Sequence, residues 1–307
     1  MISTATSTEA APGTAGRRRR PWWRSNAALF AYVFVLPYAV LFAVFRLGPA
    51  LYGVGLSFAE VGLSGRVRWS GLANFQRLFG DQLFWQALSV TVIYTVIAIP
   101  LCLVVALIMA SLVNRPLRGI SVYRVIFFLP VVTSAVMSGV IFKWLYSDAG
   151  ALNSLLTGLG LPALDWLGST SLVLPSLAIV QAWTRFGYDM LILLAGMLAI
   201  PEEYYEAARI DRTTAWQRFW HITLPLLRPS LFFVLVLETI TSFQVFDHIL
   251  VMTAGGPVRG SYSLTYMIYD QAFNYSEFGY GAAVGMVLLL LILAISLIQN
   301  VIVGRRR

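Results

Sequence analysis

The apolar positions of this 307-residue chain gather into six long runs separated by short polar segments. The runs extend from about Ala27 to Leu47, Trp85 to Val113, Val125 to Tyr146, Leu172 to Ala199, Leu226 to Met252 and Phe278 to Val303. About 20 mostly apolar residues suffice for a helix to cross the hydrocarbon core of a bilayer. Each run meets that length, so the pattern predicts an all-α membrane protein of about six transmembrane helices. No soluble domain of useful size fits between the runs. Pro37, Pro49, Pro100, Pro130 and Pro175 fall in or beside them. Proline removes a backbone donor and kinks a helix, and the freed carbonyl must then find protein or water. Interrupted spans are therefore expected. They suit a pathway, although kinks also occur in membrane proteins without one.

Composition supports the same class. Charged residues make up 12% of the chain and apolar residues 58%, whereas a soluble domain carries about 25% charged residues. The net charge of +8 does not indicate a nucleic-acid binder, because the basic residues sit at the ends of apolar runs and form no single face between aromatic platforms. Their placement gives an orientation instead. Arg17, Arg18, Arg19, Arg20, Arg24, Arg115, Arg118, Arg124, Arg209, Arg212, Arg218, Arg228, Arg305, Arg306 and Arg307 fall on one side, against Arg66, Arg68, Arg77 and Arg259 on the other. By the positive-inside rule both termini are expected in the cytoplasm. Residues 1–26 are expected to form a disordered cytoplasmic tail, 27–303 the membrane domain and 304–307 a cytoplasmic end. The first run is too long for a signal-peptide core and no clear cleavage site follows, so it reads as an uncleaved first helix. Cys102 lies within an apolar run and reads as a small filler, since one thiol makes neither a disulfide nor a zinc site. His221 and His248 have no metal-ligand partner at useful spacing, so no bound metal is expected.

The segment from Pro201 to Pro225, between the fourth and fifth runs, reads as two short helices. Pro201 fits a first helical position, and Glu202 and Glu203 suit the positive end of the helix dipole. Thr214 and Gln217 have capping-box spacing at the start of the second helix. Small Ala207 and Ala208 beside Glu206 and Arg209 would let another protein's surface approach closely while the charges set register. The alternative is a helix pair lying on lipid headgroups.

Glu206-Ala207-Ala208, Asp211 and Ile222-Thr-Leu-Pro225 resemble the EAA loop of ABC importer permeases. Phe45-Arg-Leu-Gly-Pro49, Gly71-Leu-Ala-Asn-Phe75, Phe128-Leu-Pro130, Trp144-Leu-Tyr146, Ala199-Ile-Pro201, Phe246-Asp247 and Thr253-Ala-Gly-Gly-Pro257 are similar, in order, to carbohydrate-uptake permeases of the maltose and glycerol-3-phosphate type. The resemblance covers about residues 27–303. It implies a type I importer fold in a bacterial cytoplasmic membrane, with residues 201–225 as a coupling loop seated in a cleft of a separate ATP-binding subunit. Glu206, Ala207, Ala208, Asp211, Arg212, Leu224 and Pro225 would be the coupling residues. The family usually has Gly where this chain has Arg212, and Arg carries a steric cost at positive φ that Gly does not.

Ionisable residues inside spans are functional candidates: Lys143, Arg185, Asp189, Glu238 and Asp247. Arg185 and Asp189 are four apart and share a helix face, which fits an ion pair as well as a solute contact. Glu238 carries no assigned role. In the fifth run Thr241, Ser242, Gln244 and Asp247 stand beside Phe243 and Phe246, a mixture that suits sugar recognition and equally suits helix–helix contacts. By the resemblance this span borders the translocation path, with Ser242, Gln244, Asp247, Tyr188 and Asp189 as candidates.

The chain has no Gly-x-x-x-x-Gly-Lys-Ser/Thr loop, so it is expected to be a transport subunit without ATPase chemistry of its own. ATP and Mg would be held by a partner ATPase dimer. Six spans make a thin wall for a sugar path, which implies a second, homologous permease in a heterodimer. An extracytoplasmic solute-binding protein would deliver sugar to loops 59–84, 147–171 and 253–277, with lipid around the helices. A secondary transporter would need an ion relay and more spans, and a membrane enzyme would need clustered carboxylates or histidines.

Overall fold

The structure is a computed structural model describing residues 26–61, 66–114 and 119–304. The tail before residue 26, Arg115 and Arg118, and residues 305–307 lie outside the described residues, and with them much of the charge asymmetry that orients the chain. The chain divides into two units at Gly53/Val54.

From the first unit α1 (Asn26–Phe42) continues through a π-turn at Ala43–Leu47 into α2 (Gly48–Ser57), whose last four residues belong to the second unit. The π-turn lies just ahead of Pro49, whose missing N–H breaks the regular bonding register. The span Phe30–Ser57 is apolar enough to cross a membrane, and no residue of its most apolar stretch is buried.

The second unit goes on with a short antiparallel hairpin, β1 (Ala59–Val61) and β2 (Val67–Trp69), pairing Ala59 with Trp69. There follow α3 (Ala73–Gly80), α4 (Gln82–Val113), α5 (Ile120–Val132), α6 (Ala135–Leu145), α7 (Ala151–Gly158) and α8 (Val173–Leu198). Next come α9 (Glu202–Ile210), α10 (Ala215–Arg218), α11 (Leu224–Leu226), α12 (Arg228–Phe243), α13 (Asp247–Met252), α14 (Leu264–Tyr269) and α15 (Phe278–Gln299).

The largest helix contact joins α4 and α8, with α12 and α5 packed on the pair. Its basis is legible in α4, where Tyr94, Ala98, Cys102, Ala106 and Ala110 recur every fourth residue and all are fully buried. Small residues at this spacing let helix backbones approach closely where lipid offers no hydrophobic drive. Cys102 is one rung of that ladder. Gly187 serves the α5–α8 contact. A Cβ there would lie 3.0 Å from Phe128 Cα and 3.0 Å from Val131 Cγ2, and closer still to the Phe127 carbonyl. Gly187→Ala should therefore destabilise the chain by about 1–3 kcal/mol, the usual penalty for overpacking. An unchanged unfolding midpoint in micelles would contradict the close crossing.

Among the described residues four helices are long and apolar enough to cross a membrane, or up to six if each bent pair counts as one span. The second, fourth and sixth runs appear where expected, as α4, α8 and α15. The third is not one continuous helix: α5 and α6 meet at 94°. Thr133 and Ser134, both with extended backbone, separate them. Such residues favour helix ends because their side chains compete for backbone hydrogen bonds. The fifth run is also divided. It enters through a 68° bend before Arg228 and is interrupted at Gln244–Phe246. No proline stands within Thr133–Ser134 or Gln244–Phe246, and α4 passes through Pro100 without interruption.

Candidate functional site

The segment between α8 and α12 folds as the two expected helices. Pro201 takes the cap position just before α9. Glu202 at the first turn pairs with Arg209 at the last. After Ile210 the chain makes a Schellman turn: Thr213 N–H donates to the Ala208 carbonyl at 3.1 Å and Arg212 N–H to the Arg209 carbonyl at 3.0 Å. Thr213 Oγ1 donates to the same Ala208 carbonyl at 2.7 Å, and Arg218 bonds to the Thr213 carbonyl at 2.6 Å. The motif requires one left-handed residue, and Arg212 occupies it with φ of 54°. The turn is thus of the kind glycine usually serves, built here with an arginine whose backbone strain is offset by those bonds. Thr214 and Gln217 form the predicted capping box, with Gln217 N–H donating to Thr214 Oγ1 at 3.2 Å and Thr214 N–H to Gln217 Oε1 at 2.8 Å.

Glu206, Ala207, Asp211 and Arg212 are exposed on this loop, and Leu224 and Pro225 are half-buried. Ala208 differs from the expectation. It is only 6% exposed, so its side chain faces its own protein and is not free to meet a partner. Nearby, the Tyr205 and Thr223 hydroxyls bond at 3.0 Å, tying α9 to the segment that re-enters the apolar region.

The path candidates separate into two groups. Gln181, Arg185 and Asp189 repeat every fourth residue on one face of α8, and Glu238 and Ser242 do so on α12. Arg185 Nε donates to Glu238 Oε1 at 2.8 Å, giving Glu238 the role the sequence left open. Gln181 donates to Glu238 Oε2 at 3.1 Å and to Ser242 Oγ at 2.9 Å, and accepts from the Tyr94 hydroxyl at 2.6 Å. The Arg185–Asp189 approach is longer, 3.8 Å, and neither Asp189 oxygen accepts a hydrogen bond. Two fully buried carboxylates thus face one guanidinium, which is 27% exposed. Asp189 and Ser242 are sealed inside this network, while Tyr188, under the Arg185 guanidinium at 5.0 Å, is 39% exposed. Gln244 and Asp247 are also exposed. Sequence reasoning missed Tyr94 and Gln181; the four-residue spacing from Gln181 to Arg185 was the available signal.

The described residues of the three loops assigned to a delivering protein are joined by side-chain hydrogen bonds and an ion pair. The Asn74 side chain donates to the Ser57 and Ala59 carbonyls at 3.0 and 2.9 Å. Arg77 pairs with Glu277 at 2.8 Å, a contact that holds its guanidinium above the usual range, and stacks over the Tyr280 ring at 4.2 Å. Beside them Arg66, Arg68, Glu60 and Asn74 line a cleft of about 490 Å³. In the next loop Asn153 accepts from Leu164 N–H and Trp166 Nε1 at 3.0 and 3.1 Å. In the third, burial and then a hydrogen bond to Asp270 push the Tyr262 hydroxyl above its ordinary value. Among the described residues no group of three or more His, Cys, Asp or Glu could hold a metal ion.

Comparison with known proteins places this geometry. The chain is 36% identical over 276 residues to the lactose transport system permease protein LacF of Rhizobium radiobacter, covering 87% of this chain and 92% of that one. It is 35% identical to the probable ABC transporter permease protein YesP of Bacillus subtilis (strain 168), covering 88% and 89%. To the trehalose/maltose transport system permease protein MalF of Thermococcus litoralis it is 31% identical, covering 91% and 95%. Its fold superposes with a TM-score of 0.80, at 23% identity and over 93% of this chain and 97% of the other, on a chain of a bacterial alginate ABC transporter solved in complex with alginate pentasaccharide-bound periplasmic protein. Residues 103–307 match the family described as binding-protein-dependent transport system inner membrane component, and the chain belongs to that family of ABC transporter permeases.

Proposed function

We propose that the chain forms half of the translocation path of a sugar importer, paired with a second, homologous permease and driven by a separate ATPase dimer that holds ATP and Mg. One observation carries the path: the Arg185 guanidinium and the Tyr188 ring are part-exposed in the middle of α8. A charged group on a span faces protein or water and not lipid, so this face lines a cavity or the second subunit. Gln244 and Asp247 extend the polar surface on the neighbouring span. The sugar class is supported by the relatives named for lactose and trehalose/maltose transport. The exposed Glu206 and Asp211, held rigid by the Schellman turn, suit docking to the ATPase on the cytoplasmic side, where both termini would also lie. A binding protein would deliver solute to the loops at the opposite end.

Affinity purification from native membranes in mild detergent should recover an ATP-binding subunit and a second permease in fixed stoichiometry. Proteoliposomes containing that complex and its binding protein should take up labelled oligosaccharide only with ATP inside. Recovery of the chain without any nucleotide-binding protein, with uptake driven by an ion gradient, would overturn the reading in favour of a secondary transporter.

A further inference from the structure

The loop between α8 and α12 presents two different exposed surfaces. The first is the charged surface of α9. The second belongs to the continuous helix Ala215–Leu226, which joins α10, a π-turn and α11. Trp216, Phe219 and Trp220 stand at i, i+3 and i+4 on one face of it, with ring centroids 5.5 to 6.3 Å apart. Trp216 is 69% and Trp220 47% exposed. The opposite face is polar and occupied: Arg218 bonds back to the Thr213 turn, and His221 Nδ1 lies 2.9 Å from the Gln217 carbonyl.

This arm runs directly into α12, from which it is bent by 68°. Helix rises about 1.5 Å per residue, so from Leu226 back to Trp216 is about 15 Å of axis. At 68° to a span lying along the membrane normal, that length lifts Trp216 only about 6 Å, within the headgroup layer on each side of a bilayer. Indole rings favour this layer because one edge is apolar and the N–H needs a polar partner. Arg212 and Arg228, both exposed at the two ends of the arm, supply the positive charge that anionic headgroups attract.

We propose that the Ala215–Leu226 arm lies in the membrane–water interface, with the Trp216–Phe219–Trp220 face inserted among anionic phospholipid headgroups, leaving α9 alone to meet a protein partner. The lipid contact sets the height at which Glu206 and Asp211 stand above the bilayer. It does not depend on which side of the membrane the loop occupies, nor on the solute carried.

The test uses the full chain in phosphatidylglycerol-containing nanodiscs, with nitroxide labels on W216C, W220C and E206C in a C102A background. Power-saturation EPR should find positions 216 and 220 at least fivefold more accessible to oxygen than to a water-soluble nickel chelate, and position 206 the reverse. Adding the ATP-binding subunit should shield position 206 and leave 216 unchanged. Chelate accessibility at 216 equal to that at 206 would overturn the proposal, as would shielding of 216 only by the ATP-binding subunit, which would make the aromatic face a protein contact. With unlabelled protein, the W216F/W220F variant should lose a share of the emission quenched by lipids brominated near the headgroup. An unchanged quenched share would count against lipid insertion even if the cysteine variants fail to fold.

Discussion

Arg185→Met should destabilise the folded chain by about 3 kcal/mol, more than most single substitutions. The guanidinium is the positive partner of Glu238, which is fully buried, and its removal leaves that carboxylate with a single neutral donor, Gln181. Breaking a buried ion pair from one side typically costs about 3–5 kcal/mol, because a charge is left without a counter-charge in a low-dielectric surrounding. The low end applies here, since the guanidinium is 27% exposed and keeps part of its own solvation in the folded chain. Reversible unfolding in mixed micelles would measure the loss, and Glu238→Gln added to Arg185→Met should recover more than half of it. A loss below about 1 kcal/mol would show that the guanidinium is not the group compensating these carboxylates.

Glu206→Lys and Asp211→Lys should each reduce ATP-driven uptake about a hundredfold while the protein still inserts and folds. Both side chains are exposed, and among the described residues neither takes part in an ion pair within the chain, so reversing their charge removes nothing from the fold. At a protein contact, like charges placed together cost several kcal/mol, and each 1.4 kcal/mol is a factor of ten in binding. Glu202→Lys is a useful contrast. It breaks the exposed pair with Arg209, worth about 1 kcal/mol or less, at the far end of α9. Normal uptake by the Glu206 and Asp211 variants, measured at matched membrane levels, would remove the coupling assignment.

The spans that were legible in the sequence are those whose apolar run is also a single helix. In α4 the small-residue ladder from Ala98 to Ala110 marks the buried face, and periodicity alone reveals it. The bend between α5 and α6 was hidden because Thr133 and Ser134 are two mildly polar residues inside an apolar run, and hydropathy averages them away. The capping box at Thr214 was readable because its two partners are three residues apart. Arg212 was readable as a departure from the usual glycine, but whether the left-handed turn survives it was not, since the Arg212 and Thr213 N–H bonds to the Arg209 and Ala208 carbonyls hold it. The direction of Ala208 was not readable, because a nine-residue helix gives too few turns to fix a face. Glu238 needed Arg185 from another span, 53 positions away, and no local pattern predicts which buried carboxylate meets which guanidinium.

The gap between α12 and α13 is closed by side chains from elsewhere: the Thr265 hydroxyl donates to the Phe243 carbonyl at 3.2 Å and the Ser263 hydroxyl to the Val245 carbonyl at 3.1 Å. An intact helix can bend only by giving up backbone bonds that lipid cannot replace. Here two hydroxyl contacts, each worth about 1 kcal/mol net, satisfy carbonyls beside the break. Ser263 also caps α14 through the Tyr266 N–H at 3.2 Å, so one side chain joins the interruption of the fifth span to the start of the helix that follows the loop.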